Sequence, residues 1–558
     1  MAAGGPAGSV NKRRLTIGAA AAGLALILVA ATSAGTLAAP GAPPGRSASV
    51  TAAAGTEVPS VNWALSGQAT ATSAQSGDPA SNAVDGSAST SWCGTSWTDT
   101  LTVDLGQARS LDGLGITLAA GSPSATATIS LADQAGSLQP LPTGRLVALD
   151  PGNPMYVPVP AGHAVTARYA RVNVISGTGA PVCVGEFRLS GPDRVAAGME
   201  RGADLSFTPQ ELAAGARFTD RGVTGSPVSI IRQHGANYVR LRLWVNPPAG
   251  YSDLASDLAM ARTVEAAGMK LYLDIMYSDF WADPQHQDVP AAWQGRDLQQ
   301  LSATVRDYTH QVIAAFAAQR TPVDMVSIGN EIRNGILWPA GEVNPTANTG
   351  WDNLATLLKA GVAGARAGNP PGHQLDVMMH FDQGGDNQQS QAFYQNLVSR
   401  GVPFGVIGLS YYPFFHGPIE SMRQNVNALA AQFHKKIVIA ETQYPWTLAN
   451  GDSTGDFVWQ PSQVSAGYPA SAGGQLSFVS DELSILAQVP DGLGTGLFYW
   501  APEWIPGVGW EPGAGTPNDN LTLFDFQGGA LPSVGSFENP AAVCASYDPG
   551  TVPCTVGG

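Results

Sequence analysis

The stretch Val326-Ser327-Ile328-Gly329-Asn330-Glu331 is an apolar run of strand length that stops on a glycine, an amide and a carboxylate. A strand buried on both faces reads as unbroken Val, Ile and Leu, and it ends in such side chains only where they face something polar. The pattern returns further along as Ile437-Val438-Ile439-Ala440-Glu441. Two buried strands that each deliver a glutamate at the C-terminal end suggest a pair of carboxylates across a reaction site.

Working outward, strand-like runs recur at Gly202–Ser206, Tyr238–Trp244, Lys270–Tyr277, Met325–Glu331, Leu375–His380, Val406–Tyr412, Ile437–Thr442 and Gly496–Trp500. Amphipathic helical runs separate them, at Ser252–Ala267, Leu301–Ala318, Trp351–Ala367, Gln391–Arg400, Ser421–His434 and Gln475–Ala487. Gly235, Gly268, Gly368 and Gly401 stand where helices stop. Alternating strands and helices predict an α/β domain over 197–542, a (β/α)8 (TIM) barrel with enlarged loops. The alternative, a doubly wound sheet, calls for a glycine-rich turn after the first strand, and none is written there.

In such barrels chemistry gathers at the C-terminal strand ends. Those ends carry Arg240, Trp244 and Asn246, then Asp279, Trp281 and Asp283, then Asn330-Glu331, His380, Tyr411-Tyr412, Glu441 and Trp500. Aromatic rings that stack on pyranose faces, set among amides and carboxylates that meet hydroxyls, are what a sugar chain needs. Glu331 and Glu441 supply the two carboxylates that glycosidic hydrolysis requires, and a separation of about 5–5.5 Å makes one of them a nucleophile. Asn330 is placed to hold a sugar hydroxyl beside an acid/base Glu331, while Arg240 or Tyr411 would keep a nucleophilic Glu441 ionised. The structural alternative pairs either glutamate with Arg240 or Arg242.

Before the barrel, residues 59–192 change to short alternating runs such as Leu101–Leu105, Ala125–Leu131 and Tyr169–Val174, punctuated by Gly, Pro, Asp and Ser. This predicts an all-β sandwich or jelly roll. Residues 40–58 are rich in Ala, Gly, Pro and Ser and read as a linker. Residues 1–39 hold Lys12-Arg13-Arg14, an apolar run from Leu15, and Ala38-Ala39-Pro40, the layout of a secretory leader, with an uncleaved anchor as the alternative. The four cysteines fall as Cys93 with Cys183 and Cys544 with Cys554, the latter in a tail at 543–558; in an exported chain such pairs read as disulfides, and no spacing suggests zinc.

The 558 residues carry 44% hydrophobic and only 13% charged side chains, with a net charge of −15. Length asks for two or three units, and the acidity argues against nucleic acid while suiting a neutral ligand.

Two resemblances sharpen this. Ala69–Thr72, Pro79–Gly86, Thr90-Ser91-Trp92, Val103–Gly106, Arg168–Val172 and Gly185–Leu189 resemble discoidin-type (coagulation-factor C-type) modules, which include galactose-binding ones. That family's turn would hold a structural calcium through Asn82, Asp85, Thr90 and Glu186, although spacing alone favours Asp85-Gly86 as a plain turn. Trp92 and Trp97 are candidates for sugar stacking, a buried core position being the commoner fate. Gly202-Ala203-Asp204, Asn237–Trp244, Tyr277–Pro284, Gly329-Asn330-Glu331, Gly408–Pro413, Ala440-Glu441-Thr442 and Leu523–Phe526 resemble family 53 glycoside hydrolases. These are endo-β-1,4-galactanases acting on galactan and arabinogalactan side chains of pectin. The resemblance implies a retaining mechanism without a catalytic cofactor, Glu331 as acid/base, Glu441 as nucleophile, and Asp204 among the substrate-binding residues. It also implies a second calcium near Asp452 and Asp456. Two positions depart from the pattern: Met276 stands where the family has histidine, and Tyr499-Trp500-Ala501-Pro502-Glu503 where it reads Tyr-Trp-Glu-Pro.

The expectation is a secreted galactanase whose partner is plant cell-wall polysaccharide, with no nucleic acid and no membrane attachment after leader cleavage. A mannanase or glucanase, or a non-catalytic glycan-binding adhesin, is the alternative. The module is expected to anchor the enzyme, so loss of residues 1–195 should leave cleavage of soluble galactan intact.

Overall fold

The computed structural model describes residues 60–538 apart from 87–89, 141–146, 159–164, 193–197, 248–249, 466–467 and 511–513. The expected leader, linker and Cys544–Cys554 bridge lie outside the described residues. No helix among the described residues is long and apolar enough to cross a membrane.

The N-terminal module is two antiparallel sheets. One is built around the paired strands Thr98–Leu111, Val165–Ser176 and Ala125–Ala132, the other around Cys183–Pro192 and Gly113–Leu118. Alternation along the strands sends Leu101, Val103, Ile129 and Val172 inward to meet Ile116, Phe187 and Leu189. A Cys93–Cys183 disulfide joins two positions 90 residues apart in sequence. Trp92 is fully buried and donates to the Ser73 carbonyl, which removes it as a sugar platform, whereas Trp97 stays 53% exposed.

The second domain is a closed barrel of eight parallel strands, β1 (Glu200–Asp204), β2 (Tyr238–Leu243), β3 (Lys270–Ile275), β4 (Met325–Ile328), β5 (Asp376–Phe381), β6 (Val406–Tyr411), β7 (Lys436–Thr442) and β8 (Gly494–Tyr499). A main helix follows each of the first seven strands, α1 (Pro227–Gln233), α2 (Leu254–Ala266), α3 (Leu298–Ala318), α4 (Trp351–Gly368), α5 (Asn387–Ser399), α6 (Ile419–Phe433) and α7 (Ala472–Ala487), with the short helices Thr208–Ala213 and Pro413–His416 beside them. The eighth helical position holds the short 3-10 segment Pro532–Phe537. The barrel interior is plugged by Tyr238, Tyr272, Met325, Met378, Val406, Val438 and Phe498, so the mouth above them is a floored groove rather than a pore.

The module is not a bead on a string. In the outer ring of a barrel a helix normally shows solvent one face, yet every residue of α7 except Ser480 is buried. The module covers it: Tyr156 Oη lies 2.6 Å from Ser477 Oγ, the Asn62 amide donates to Ser484 Oγ at 3.0 Å, and Arg188 is bonded to Asp481 with both side chains buried. Tyr468, in the loop before α7, reaches the Gly86 carbonyl at 3.1 Å.

Candidate active site

Three of the strand ends carry a left-handed kink. After β4, Gly329 takes φ +88° and Glu331 takes φ 48°, ψ 51°. The left-handed conformation costs a non-glycine residue about 1–2 kcal/mol, and at Gly329 any Cβ would strike Ile332 and Ile336. This kink lifts Asn330 and Glu331 out of the strand line. Tyr277 after β3 and Ala501 after β8 are also left-handed, with φ 54° and 44°. Such strain gathers where a structure holds functional side chains in place.

Glu331 and Glu441 meet across the mouth with carboxylate oxygens within 4.8 Å of each other. Their surroundings differ. Glu441 is 5% exposed; Arg240 Nη2 lies 2.7 Å from its Oε1, and the Tyr412 hydroxyl donates to its Oε2 at 2.8 Å. Glu331 has no cation against it and accepts from Ser410 Oγ at 2.6 Å. Burial raises the pKa of both, but Arg240 and Tyr412 pull Glu441 back down. For Glu331 the neighbouring Glu441 and Asp382 add to burial and push it well above the ordinary carboxyl range. Both therefore stand above the ordinary carboxyl range, Glu331 the further, so a proton shared by the pair is favoured on Glu331 and the negative charge on Glu441.

Arg240 is fully buried and fixed from three sides. Its Nη1 donates to Asp204 Oδ2 at 2.6 Å, and its Nη2 donates to Asp274 Oδ2 at 2.9 Å and Asn330 Oδ1 at 3.1 Å. Three carboxylates around one guanidinium leave it charged and immobile, a fixed electrode beneath Glu441. His380 Nε2 lies 2.9 Å from Ser410 Oγ, and burial together with Arg240 drives its pKa well below the usual value, so it is neutral. Glu331, His380 and Glu441 also lie close enough to share a cation. Arg240 already places a positive charge against Glu441, which disfavours one there.

The groove has a volume of about 480 Å³ and is walled by aromatics. Of the residues expected from sequence, Trp281, Asp283, Asn330, Glu331, Tyr412, Glu441 and Trp500 line it. Asp204, Arg240, Trp244, His380 and Tyr411 are at most 5% exposed and stand behind the wall. Tyr411 donates to the Gly417 carbonyl, so Tyr412, not Tyr411, supports Glu441. Asn246 is exposed beyond the groove, and Asp279 accepts from the Ala291 amide to brace its own loop. Sequence reasoning did not single out Ser410, which touches both glutamates, or Gln443, Phe415, Phe457 and Trp510 on the wall. Ser410 is a small polar residue beside a tyrosine pair with no spacing signal of its own, and the loop aromatics sit outside any periodic element.

At the two departures, Met276 Sδ accepts from Trp244 Nε1 at 3.0 Å, and Ala501 is buried. Glu503 carries the carboxylate two residues on, fully buried, accepting from Thr208 Oγ1, with burial pushing its pKa up to about 8. Arg242 is likewise buried, with no hydrogen-bond partner for any of its side-chain nitrogens, and its guanidinium sits 4.0 Å from the Phe207 ring and 4.4 Å from that of Trp281.

The cation candidates divide as follows. In the module, Thr90 Oγ1 donates to Asp85 Oδ2, Asn82 Nδ2 donates to the Ser91 carbonyl, and Glu186 is fully buried with neither oxygen in a standard hydrogen bond among the described residues. In the barrel, Asp452 accepts from the Thr454 and Thr516 amides. Both Asp456 oxygens are buried without a partner, and burial beside Asp519 and Asp452 raises Asp456 to about 7.

The family model described as Glycosyl hydrolase family 53 matches residues 200–537, and that described as F5/8 type C domain matches residues 68–186. A Niallia circulans protein described as "Uncharacterized protein in bgaB 5'region" is 38% identical over 338 residues, 60% of this chain and 91% of its own length. The "Probable arabinogalactan endo-beta-1,4-galactanase A" of Aspergillus terreus is 37% identical over 321 residues, 55% of this chain and 87% of its own. The solved "Ignisphaera aggregans GH53 catalytic domain" is 36% identical with a TM-score of 0.57, covering 61% of this chain and 95% of that one.

Proposed function

The chain belongs to glycosyl hydrolase family 53, and we propose that it is a secreted endo-β-1,4-galactanase that cleaves galactan and arabinogalactan side chains of pectin with retention of configuration. The observation that carries the mechanism is the asymmetry of the glutamate pair: Arg240 and Tyr412 both bind Glu441, and neither binds Glu331. In the first step a Glu441 oxygen attacks the anomeric carbon as the glycosidic C–O bond breaks, and Glu331 gives its proton to the departing oxygen. In the second, Glu331 takes a proton from water, the water oxygen attacks the anomeric carbon, and the bond to Glu441 breaks. Arg240 lowers the cost of leaving Glu441 charged at the start and at the end of the cycle.

We further propose that Asn82, Asp85, Thr90 and Glu186 hold one structural calcium, and that Asp452 and Asp456 with Asp519 hold another. Buried carboxylate oxygens without donors are the hard ligands such an ion takes, and it would have no part in the chemistry. The module is the natural anchor to insoluble polysaccharide, with Trp97 as its exposed ring.

The deciding test is the appearance of new reducing ends from linear β-1,4-galactan, mannan and cellulose. Release from galactan is expected, together with loss of turnover in Glu441→Ala and partial return with azide as an external nucleophile. Cleavage of mannan or cellulose alone points to another β-glycanase, and binding without cleavage points to the adhesin.

A further inference from the structure

Among the large hydrophobic side chains left exposed in the described residues, Phe415, Phe457 and Trp459 fall on two neighbouring loops, those after β6 and β7, at 61%, 38% and 63% exposure. Phe415 and Phe457 line one end of the groove and meet edge to face with ring centres 6.1 Å apart. Val458, between Phe457 and Trp459, is fully buried. The chain bends at Phe457, and with Val458 turned inward between them both rings stand on the solvent side of the segment.

The segment is held rigidly for a surface loop. The Phe457 amide donates to the Pro517 carbonyl at 3.0 Å, and Asn520 Nδ2 donates to the Val458 carbonyl at 2.6 Å. The Gln463 side chain straps it from the other edge, its Oε1 accepting from the Trp459 amide and its Nε2 donating to the Phe457 carbonyl. A loop this well bonded could tuck its aromatics inward with Val458; instead it presents them to water, which exposes apolar area without a partner in the chain.

We infer that Phe457 and Trp459 form a ledge that continues the groove beyond its Phe415 end and binds further sugar units of the same polysaccharide chain. Two exposed rings two residues apart, the first of them on the groove wall, offer apolar faces to the C–H faces of further pyranoses. A neutral chain suits a ledge of rings with no charged side chain between Phe457 and Gln463. That the chain is β-1,4-galactan rests on the function proposed above; that a chain continues over the ledge rests on the loop.

The test compares wild type, Trp459→Ala, the double variant Phe457→Ala/Trp459→Ala and Trp459→Phe on β-1,4-linked galacto-oligosaccharides of increasing length. In wild type kcat/KM rises with length until the chain spans the ledge. In Trp459→Ala the ratio of long-chain to short-chain kcat/KM falls about tenfold, or about 1.4 kcal/mol, and further in the double variant. Trp459→Phe, which keeps a ring, retains most of the ratio. Because Trp459 is mostly exposed, its thermal midpoint should not move. An unchanged ratio in the double variant overturns the ledge. If the protein cleaves mannan or cellulose instead of galactan, the substrate assignment falls, and the same ratio measured on oligomers of the cleaved polymer still judges the ledge.

Discussion

Arg188→Met tests whether module and barrel are one folding unit. The Arg188 Nε donates to Asp481 Oδ2 at 3.0 Å and its Nη2 bonds the same oxygen, while Nη1 reaches Thr117 Oγ1 at 3.3 Å. The Tyr468 hydroxyl lies 3.0 Å from Asp481 Oδ2. Arg188 and Asp481 side chains are 3% and 1% exposed, so screening by solvent is slight. Removing one partner strands the other charge in the interface, which costs about 3–5 kcal/mol. For a cooperative unit of roughly 480 residues at about 2.1 cal/mol/K each, the unfolding entropy is about 1 kcal/mol/K, so the midpoint should fall by about 3–5 °C. Replacing both partners by apolar residues removes the charge problem, so Arg188→Met/Asp481→Leu should recover most of that fall. The assay is differential scanning calorimetry of the full chain. Two separate transitions with the barrel peak unmoved, or one peak moved by less than about 1 °C, would refute the reasoning.

A chain beginning at residue 197 bares Ser477, Asp481 and Ser484 on α7, so it should melt below the full chain, and calorimetry of the truncated barrel checks this. Tyr412→Phe removes a donor at 2.8 Å from Glu441, so the acidic limb of the kcat/KM–pH profile should move up by about one unit with turnover reduced about tenfold or more. His234 is buried, which alone would lower its pKa, but Asp220 and Glu538 on its two ring nitrogens raise it to about 9. The stabilisation is complete below the unfolded value near 6.5 and disappears as pH climbs through 9; it is on the order of 3 kcal/mol, and in pH-dependent melting His234→Gln should flatten that slope. Chelator should lower the midpoint and added calcium restore it, with Glu186→Gln losing part of the response, as fluorescence-monitored melting would show.

The barrel was legible because its strands are buried on both faces and therefore read as unbroken apolar runs ending in polar residues. Apolar periodicity alone places helix starts late where a cap precedes the run: Asp297 accepts from the Gln300 amide in a capping box and begins α3 at Leu298, and Ser471 begins α7 at Ala472. The glutamate pair was legible from position alone, but the role of each depended on contacts across long sequence separations. Ser410 reaches Glu331 over 79 residues, and Arg240 reaches Asn330 over 90. Arg188 and Asp481 are 293 residues apart, so nothing local could announce that the module is fastened to α7.

The two departures from the family pattern bear on where substrate recognition lies. Met276 offers a sulfur to Trp244 in place of an imidazole, Ala501 offers no side-chain polar atom, and the carboxylate of Glu503 is turned away into a buried site against Thr208. Neither Met276 nor Ala501 offers the polar group of the family pattern, and the Arg242 guanidinium nearby has no hydrogen bond among the described residues, lying against ring faces with Asp204 and Glu503 acting on it through charge. The departures do not touch Arg240, whose bonds to Asp204, Asp274 and Asn330 set the charge of Glu441. On the proposed mechanism the chemical step depends on the Arg240 cluster and grip on the sugar on the wall, so the departures should act on KM far more than on kcat. The exposed rings on the loops after β6 and β7, Phe415 with Phe457 and Trp459, would on the inference above supply part of that hold by stacking.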